Sequence, residues 1–228
     1  MPQRPVSAEV LEFLRGVDSP TVSNAIETFG VRELIAGFSG SRIRCLFPQL
    51  GVTLGFAVTC QVDTTSPGPA AVGKGLRQLC EVIDAAPKPV VLVYQDIGSR
   101  PGGAASFGDF AATLVQRIGA VALVCDGAIR DGQAIQALGF QCFASGTTAS
   151  HGNPRLVNIN TSVVVDGLSV EPGDLLHGDD NGVVSVPLVI VDQLPQAIEA
   201  VRRQEQAALA IVRSPDFTLD AGLKSMGH

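Results

Sequence analysis

The segment Val121-Ala-Leu-Val-Cys-Asp126-Gly127-Ala-Ile-Arg130-Asp131-Gly132 constrains the fold more than any other. A run of about four to six apolar residues closed by Asp-Gly has the character of a buried strand, and the stretch 131–139, Asp-Gly-Gln-Ala-Ile-Gln-Ala-Leu-Gly, reads as the helix that follows. A buried strand feeding directly into a helix belongs in an α/β layer arrangement. Arg130 and Asp131 are then expected at a strand's C-terminal end. Loops leaving that end of an open sheet form a crevice faced by helix N-termini, where ligands bind. Upstream, Gly108-Asp109 sets a further carboxylate twenty-one positions before Arg130.

The flanking sequence repeats the alternation. Strands are expected at 54–62, 90–94 and 121–124, and helices at 70–86 and 107–118. Before them, 7–17 carries apolar residues at helical spacing, and Asp18-Ser19-Pro20 supplies an N-cap with proline in the first turn of a second helix that should end at Gly30. After Phe140, short β segments at 157–159, 163–165, 174–177 and 183–186 read as a meander packed beside the α/β part. A long amphipathic helix over 190–212 tolerates Pro195 near its first turn and turns Glu199, Arg202, Arg203 and Glu205 outward. No repeat or low-complexity linker divides residues 1–228, so one domain is expected.

Composition narrows the function classes. With 46% apolar and 17% charged residues the chain can bury a sizeable core, and a net charge of −6 leaves no basic field for nucleic acid or an anionic membrane. The opening Met-Pro-Gln-Arg-Pro lacks an apolar signal core and no uncharged apolar span is long enough to cross a bilayer, so a cytoplasmic protein is expected. Cys45, Cys60, Cys80, Cys125 and Cys142 sit singly among apolar neighbours, as reduced core thiols do.

Two patterns carry less than they promise. The stretch 68–75, Gly-Pro-Ala-Ala-Val-Gly-Lys-Gly, has the glycines and lysine of a phosphate-cradling loop, but Gly75 stands where Ser or Thr must ligate magnesium. It reads as a flexible helix entry. Lys74, Lys88 and Lys224 all lie away from the strand-end cluster, which argues against Schiff-base chemistry. His151, His177 and His228 are isolated, without zinc-site spacing. His151 and Arg155 lie in a polar stretch that either meets a ligand's distal carboxylate or faces solvent.

Asp109, Asp126, Arg130 and Asp131 remain. Singly, Asp109 and Asp131 can cap helices, Asp126 can shape a turn with Gly127, and Arg130 can pair with one of them. Together, carboxylates and water suit a hard cation such as Mg²⁺ or Mn²⁺, and an adjacent guanidinium suits a substrate carboxylate or enolate oxygen.

Gly108-Asp109, twenty residues, then Arg130-Asp131 resembles the Asp-x20-Arg-Asp signature of the class II pyruvate aldolases within the RraA-like family. The stretch 170–187, Val-Glu-Pro-Gly-Asp-Leu-Leu-His-Gly-Asp-Asp-Asn-Gly-Val-Val-Ser-Val-Pro, is similar to another segment of that family, as is Gly146-Thr147. The resemblance implies an αββα sandwich of the swivelling β/β/α type, with N-terminal helices and a long C-terminal helix, assembled as a homotrimer or homohexamer with sites between subunits. It implies that Asp131 ligates Mg²⁺ or Mn²⁺ directly and that Asp109 holds metal-bound water. Arg130 would bind a 2-oxo acid, with Gly108 and the backbone amides of Asp109, Phe110 and Ala111 at its carboxylate. A glutamate from a neighbouring subunit's C-terminal helix would join the metal's water shell, Glu205 or alternatively Glu199. The implied reaction is cleavage of 4-hydroxy-4-methyl-2-oxoglutarate or 4-carboxy-4-hydroxy-2-oxoadipate to pyruvate and a second oxo acid, with oxaloacetate decarboxylation through the same enolate. A regulatory alternative follows from the family's namesake, which binds and inhibits ribonuclease E; the intact Asp109, Arg130 and Asp131 favour catalysis. A menaquinone methyltransferase, also attached to such sequences, lacks a glycine-rich nucleoside site here.

Overall fold

A computed structural model describes residues 6–225. Helix α1 (Ala8–Arg15) is capped by Ser7, whose hydroxyl accepts the Val10 N–H, and α2 (Ser19–Glu27) by Asp18, which accepts the Thr21 N–H at 2.9 Å. Helix α2 stops three residues short of Gly30, which does take a left-handed φ of 59°. A two-residue strand β1 (Arg44–Cys45) leads through a 3₁₀ turn to β2 (Thr53–Asp63). The middle of the chain alternates as α3 (Gly73–Ala85), β3 (Val90–Asp96), β4 (Ala105–Phe107), α4 (Asp109–Gln116), β5 (Ala120–Cys125), β6 (Ala128–Ile129), α5 (Gly132–Ala137), β7 (Gln141–Ala144) and β8 (Gly146–Thr147). There follow β9 (Arg155–Ile159), β10 (Val163–Val165), β11 (Leu168–Val170), β12 (Leu175–Asp179), β13 (Gly182–Val186), the 19-residue α6 (Leu194–Val212) and α7 (Leu219–Ser225).

The main sheet runs β1-β7-β5-β3-β2-β12-β13, with β7, β5, β3 and β2 parallel and β1, β12 and β13 antiparallel to their neighbours. Strand β2 is long enough for two partners on one edge: β12 takes its first residues and β9 its last. The expected meander is therefore not a separate layer. Strands β9, β12 and β13 complete the main sheet through β2, while β10 and β11 form a hairpin of their own. Short β segments show where strands lie, but the hydrogen-bond partner depends on edges made elsewhere.

Side-chain alternation sorts the core. In β3, Val90, Leu92 and Tyr94 join an apolar cluster with Leu79 and Ile83 of α3, Ala112 and Val115 of α4 and Ile135 of α5. Val91 and Val93 point the other way, onto Val163, Val165 and Leu168 of the β10–β11 hairpin. A third cluster packs α1, α2 and α6 against Leu54, Phe56, Leu175 and Val184. The mixed α/β class, the paired N-terminal helices and the long C-terminal helix stand as expected. All five cysteines are unpaired thiols, and among the described residues no helix is long and apolar enough to cross a membrane.

The apolar run 120–125 ends at Asp126-Gly127 as foreseen, but Arg130-Asp131 does not leave that strand. Two more residues, Ala128 and Ile129, form β6 in a second parallel sheet, β4-β6-β8. Two-residue strands carry no periodicity to read.

Candidate active site

In the small sheet Ala105 and Phe107 register with Ala128 and Ile129, which register in turn with Gly146 and Thr147. The parallel arrangement brings three strand ends to one edge. Gly108-Asp109 leaves β4 and opens α4, Arg130-Asp131 leaves β6 and opens α5, and the loop from Thr148 leaves β8. Backbone bonds lock the row: Arg130 N–H donates to the Phe107 carbonyl and Thr148 N–H to the Ile129 carbonyl, both at 2.9 Å. Gly108, Asp109, Phe110, Ala111, Arg130 and Asp131 are thus brought together.

Asp131 occupies the N-cap position of α5 without capping it. Its backbone is left-handed, φ 59° and ψ 32°, and its carboxylate accepts no hydrogen bond from the helix N–H groups. Aspartate tolerates that conformation better than most residues, though at some cost. Its Oδ2 lies 3.2 Å from Arg130 Nε, with the two side chains 37% and 39% exposed. The other guanidinium nitrogens of Arg130 bond to no described residue. Gly108 makes this approach possible. Its backbone is extended, so any residue could adopt it, but a Cβ there would stand 2.7 Å from Asp131 Oδ2 and 3.3 Å from Arg130 Nε.

At the mouth of α4, Asp109 Oδ1 accepts the Phe110 N–H at 2.7 Å. An incoming carboxylate reaches that amide only if Asp109 swings away; the amides of Asp109 and Ala111 have no such competitor. A cleft of about 210 Å³ opens here, walled by residues 105–111, Val72, Arg130, His151 and Pro154. Asp131 is not in the wall but is tied to it through Arg130. Val72, Ser106 and Pro154 were not expected in the site, and nothing in their local sequence marks them. A larger cavity, about 490 Å³ and lined by Thr64, Thr65, Arg100 and Asn153 among others, contains neither Arg130 nor a carboxylate.

Several candidates prove to be engaged elsewhere. Asp126 accepts the Asp96 N–H at 2.7 Å, and burial, reinforced by the Asp96 charge, pushes its carboxyl up to about 6; it shapes the turn after β5. Arg155 pairs with Asp63 at 3.1 Å and donates to the Ser66 and Pro67 carbonyls. Within this chain Glu205 does not reach the cleft: it accepts from Asn24 of α2 at 3.0 Å, and Glu199 sits 3.7 Å from Arg202.

The donor set suits one kind of metal. Among the described residues no three His, Cys, Asp or Glu side chains gather into a metal cluster, which speaks against a zinc-type cage. One half-exposed carboxylate that caps nothing, a second nearby and open solvent instead fit a hydrated Mg²⁺ or Mn²⁺, since magnesium keeps several waters and binds through one or two carboxylates.

The family model of the RraA-like family, described as Aldolase/RraA, matches residues 19–185. A Halalkalibacterium halodurans protein provisionally named 4-hydroxy-4-methyl-2-oxoglutarate aldolase is 30% identical over 159 residues, 69% of this chain and 74% of that protein. Among solved structures, an uncharacterized protein from Pseudomonas syringae pv. tomato superposes with a TM-score of 0.74 at 22% identity, covering 98% of this chain and 97% of its own. Streptomyces coelicolor RraAS2, described as an unusual member of the RNase ES inhibitor RraA protein family, superposes with a TM-score of 0.71 at 24% identity, covering 91% and 98%. At these identities the two structures show a shared fold.

Proposed function

This chain belongs to the RraA-like family, and from that premise we propose that it is a divalent-metal-dependent aldolase, cleaving a 4-hydroxy-2-oxo acid to pyruvate and a second oxo acid. The observation that carries the reading is the Asp131 carboxylate, held in a left-handed turn beside Arg130, facing the gap at Gly108 and capping no helix. Asp166, also left-handed, spends its carboxylate on the backbone N–H groups of Arg42 and Ile43 and on the Arg42 side chain, whereas among the described residues that of Asp131 meets only Arg130. The H. halodurans relative's name supplies the substrate class, with 4-hydroxy-4-methyl-2-oxoglutarate and 4-carboxy-4-hydroxy-2-oxoadipate as the first compounds to try.

In this reading the substrate's carboxylate docks at the N-terminus of α4, on the amides of Asp109 and Ala111 and, once Asp109 turns aside, of Phe110. Arg130 lies where negative charge develops on the 2-oxo group as the C3–C4 bond breaks, and its unengaged guanidinium nitrogens stabilise the enolate oxygen. Mg²⁺ or Mn²⁺ would be held directly by Asp131 and, through water, by Asp109 and by Glu205 or Glu199 of a neighbouring subunit in a trimer or hexamer; when bound it supplies Lewis-acid polarisation of the 2-oxo acid. The same enolate makes oxaloacetate decarboxylation a second activity of the site.

The test is pyruvate release by metal-stripped protein from the two hydroxy acids and oxaloacetate, with and without added Mg²⁺ or Mn²⁺, alongside Asp131→Ala. Release should require metal and fall by about 10²-fold or more in the variant. Release indifferent to both metal and substitution would refute the reading. Stoichiometric capture of ribonuclease E by a protein that releases no pyruvate would replace it with the regulatory one.

A further inference from the structure

We propose that the far end of the cleft takes an uncharged, apolar group, so that the preferred substrates are 4-hydroxy-2-oxo acids bearing alkyl or aryl groups at C4, with Val72 and Phe110 as the residues that set the preference. The proposal rests on the lyase reading above and names the substrate class of that same site.

A 4-hydroxy-2-oxo acid presents two ends to the cleft. Arg130 and the amides at the mouth of α4 serve the 2-oxo acid end. Any further carboxylate, beyond C4, needs donors or a cation of its own. Among the described residues the wall has none to spare. Arg155, next to Pro154, is spent on Asp63 at 3.1 Å and on the Ser66 and Pro67 carbonyls. Lys74 is exposed and lies outside the wall. His151 Nδ1 lies 2.8 Å from the Gly152 carbonyl oxygen, which can only accept, so in the neutral ring Nε2 is itself an acceptor and offers a carboxylate nothing. The Ser106 hydroxyl lies against Cys125 and the Ala128 carbonyl, and Asp109 repels an anion.

The rest of the wall is largely hydrocarbon, from Val72, Ala105, Phe107, Phe110, Ala111 and Pro154. Backbone contacts build it. Ala105, at the start of β4, donates its N–H to the Ser150 carbonyl at 2.8 Å, and Ala71 donates to the Pro154 carbonyl at 3.1 Å, which brings Val72 to the same side. Behind them α3 approaches β9 so closely that a Cβ on Gly75 would stand 2.8 Å from Leu156 Cβ. Phe110, 74% exposed, borders the cleft at the first turn of α4. An alkyl or aryl substituent covers such surface and removes it from water, whereas a carboxylate would lose its own water without a partner.

The cleavage needs no co-reactant. The hydroxyl proton leaves as that oxygen becomes the carbonyl of the departing aldehyde or ketone, the C3–C4 pair passes to the pyruvate fragment as its enolate, and C3 gains a proton. The two products together hold all the substrate's atoms.

The test compares 4-hydroxy-4-methyl-2-oxoglutarate with 4-hydroxy-4-methyl-2-oxopentanoate, in which a methyl replaces the distal carboxylate and the products are pyruvate and acetone. With Mg²⁺ at about pH 8, where an ordinary imidazole is neutral, kcat/KM should be about 10²-fold higher for the pentanoate. Val72→Arg, which adds a cation at that end, should move the ratio about tenfold or more toward the glutarate, and Phe110→Ala should lower kcat/KM for the pentanoate about tenfold more than for the glutarate. Exchange of pyruvate C3 hydrogens with solvent deuterium, followed by NMR, reads enolate formation without any C4 group and should survive both substitutions. Exchange accompanied by equal or better cleavage of the glutarate, by cleavage of neither compound, or by a ratio that neither substitution moves would overturn the proposal while the enolate-forming site stands. Absence of both exchange and pyruvate release from any compound would sink the lyase reading, and the substrate class with it.

Discussion

Gly108 matters for what it lacks. Its extended backbone suits alanine, yet the alanine methyl would fall on Asp131 Oδ2 at 2.7 Å and crowd Arg130. Gly108→Ala should therefore displace the acid and the guanidinium while leaving the fold alone: kcat/KM for pyruvate release should drop about 10²-fold, with the melting temperature almost unmoved. A variant as active as the wild type would show that the close approach of these three residues is dispensable. Residue type and spacing singled out Asp109, Asp126, Arg130 and Asp131 while leaving each a structural use, and the family resemblance brought in Gly108 and left Asp126 aside. Which acids and cations were already engaged was not legible: the bonds of Asp126 to Asp96 and of Arg155 to Asp63 join residues about thirty and ninety positions apart.

Elements with local signals were the readable ones. Apolar spacing over 7–17 announces α1, and Asp18 announces α2 because a side-chain oxygen at an N-cap answers an N–H three residues on. The pairing of β12 with β2, and the row β4-β6-β8, depend on long-range edges that no window of sequence contains. Helix α2 is also fastened from afar: buried Asp179, at the end of β12, accepts the Ser19 N–H at 2.7 Å and the Ser19 hydroxyl at 2.5 Å. Burial alone would raise the Asp179 carboxyl, but these bonds and those from Asn181 outweigh it and hold it below its usual value of 3.8. A carboxyl lowered by folding contributes stability above its unfolded pKa and loses that contribution as pH falls through its folded one. Asp179→Ala should cost about 1–3 kcal/mol in urea unfolding at pH 7, and the gap from wild type should close as the pH is taken below 3.8. A deficit that stayed constant down to acid pH would mean that the carboxylate's charge is not what holds the helix.

At the scale of the whole molecule, the apolar clusters on the two sides of the main sheet follow from period-two side-chain geometry, and the α/β class was visible from strands at 54–62, 90–94 and 121–124 alternating with helices at 70–86 and 107–118. The two sheets differ in depth. Strands β2 and β3 register continuously from Phe56–Val90 to Val62–Asp96, whereas β4 and β6 share two register pairs, as do β6 and β8. Cooperative units with fewer mutual bonds open at lower free energy than the body that carries them. Amide hydrogens of Ala128, Ile129 and Arg130 should accordingly exchange with solvent well before those of Leu92 and Val93, and pyruvate release should fail at a lower urea concentration than the far-ultraviolet circular dichroism signal. Coincident midpoints would make the two sheets one unit. Otherwise the edge that carries the proposed site is a separable foldon: the chain can fall silent and recover without ever leaving its native core.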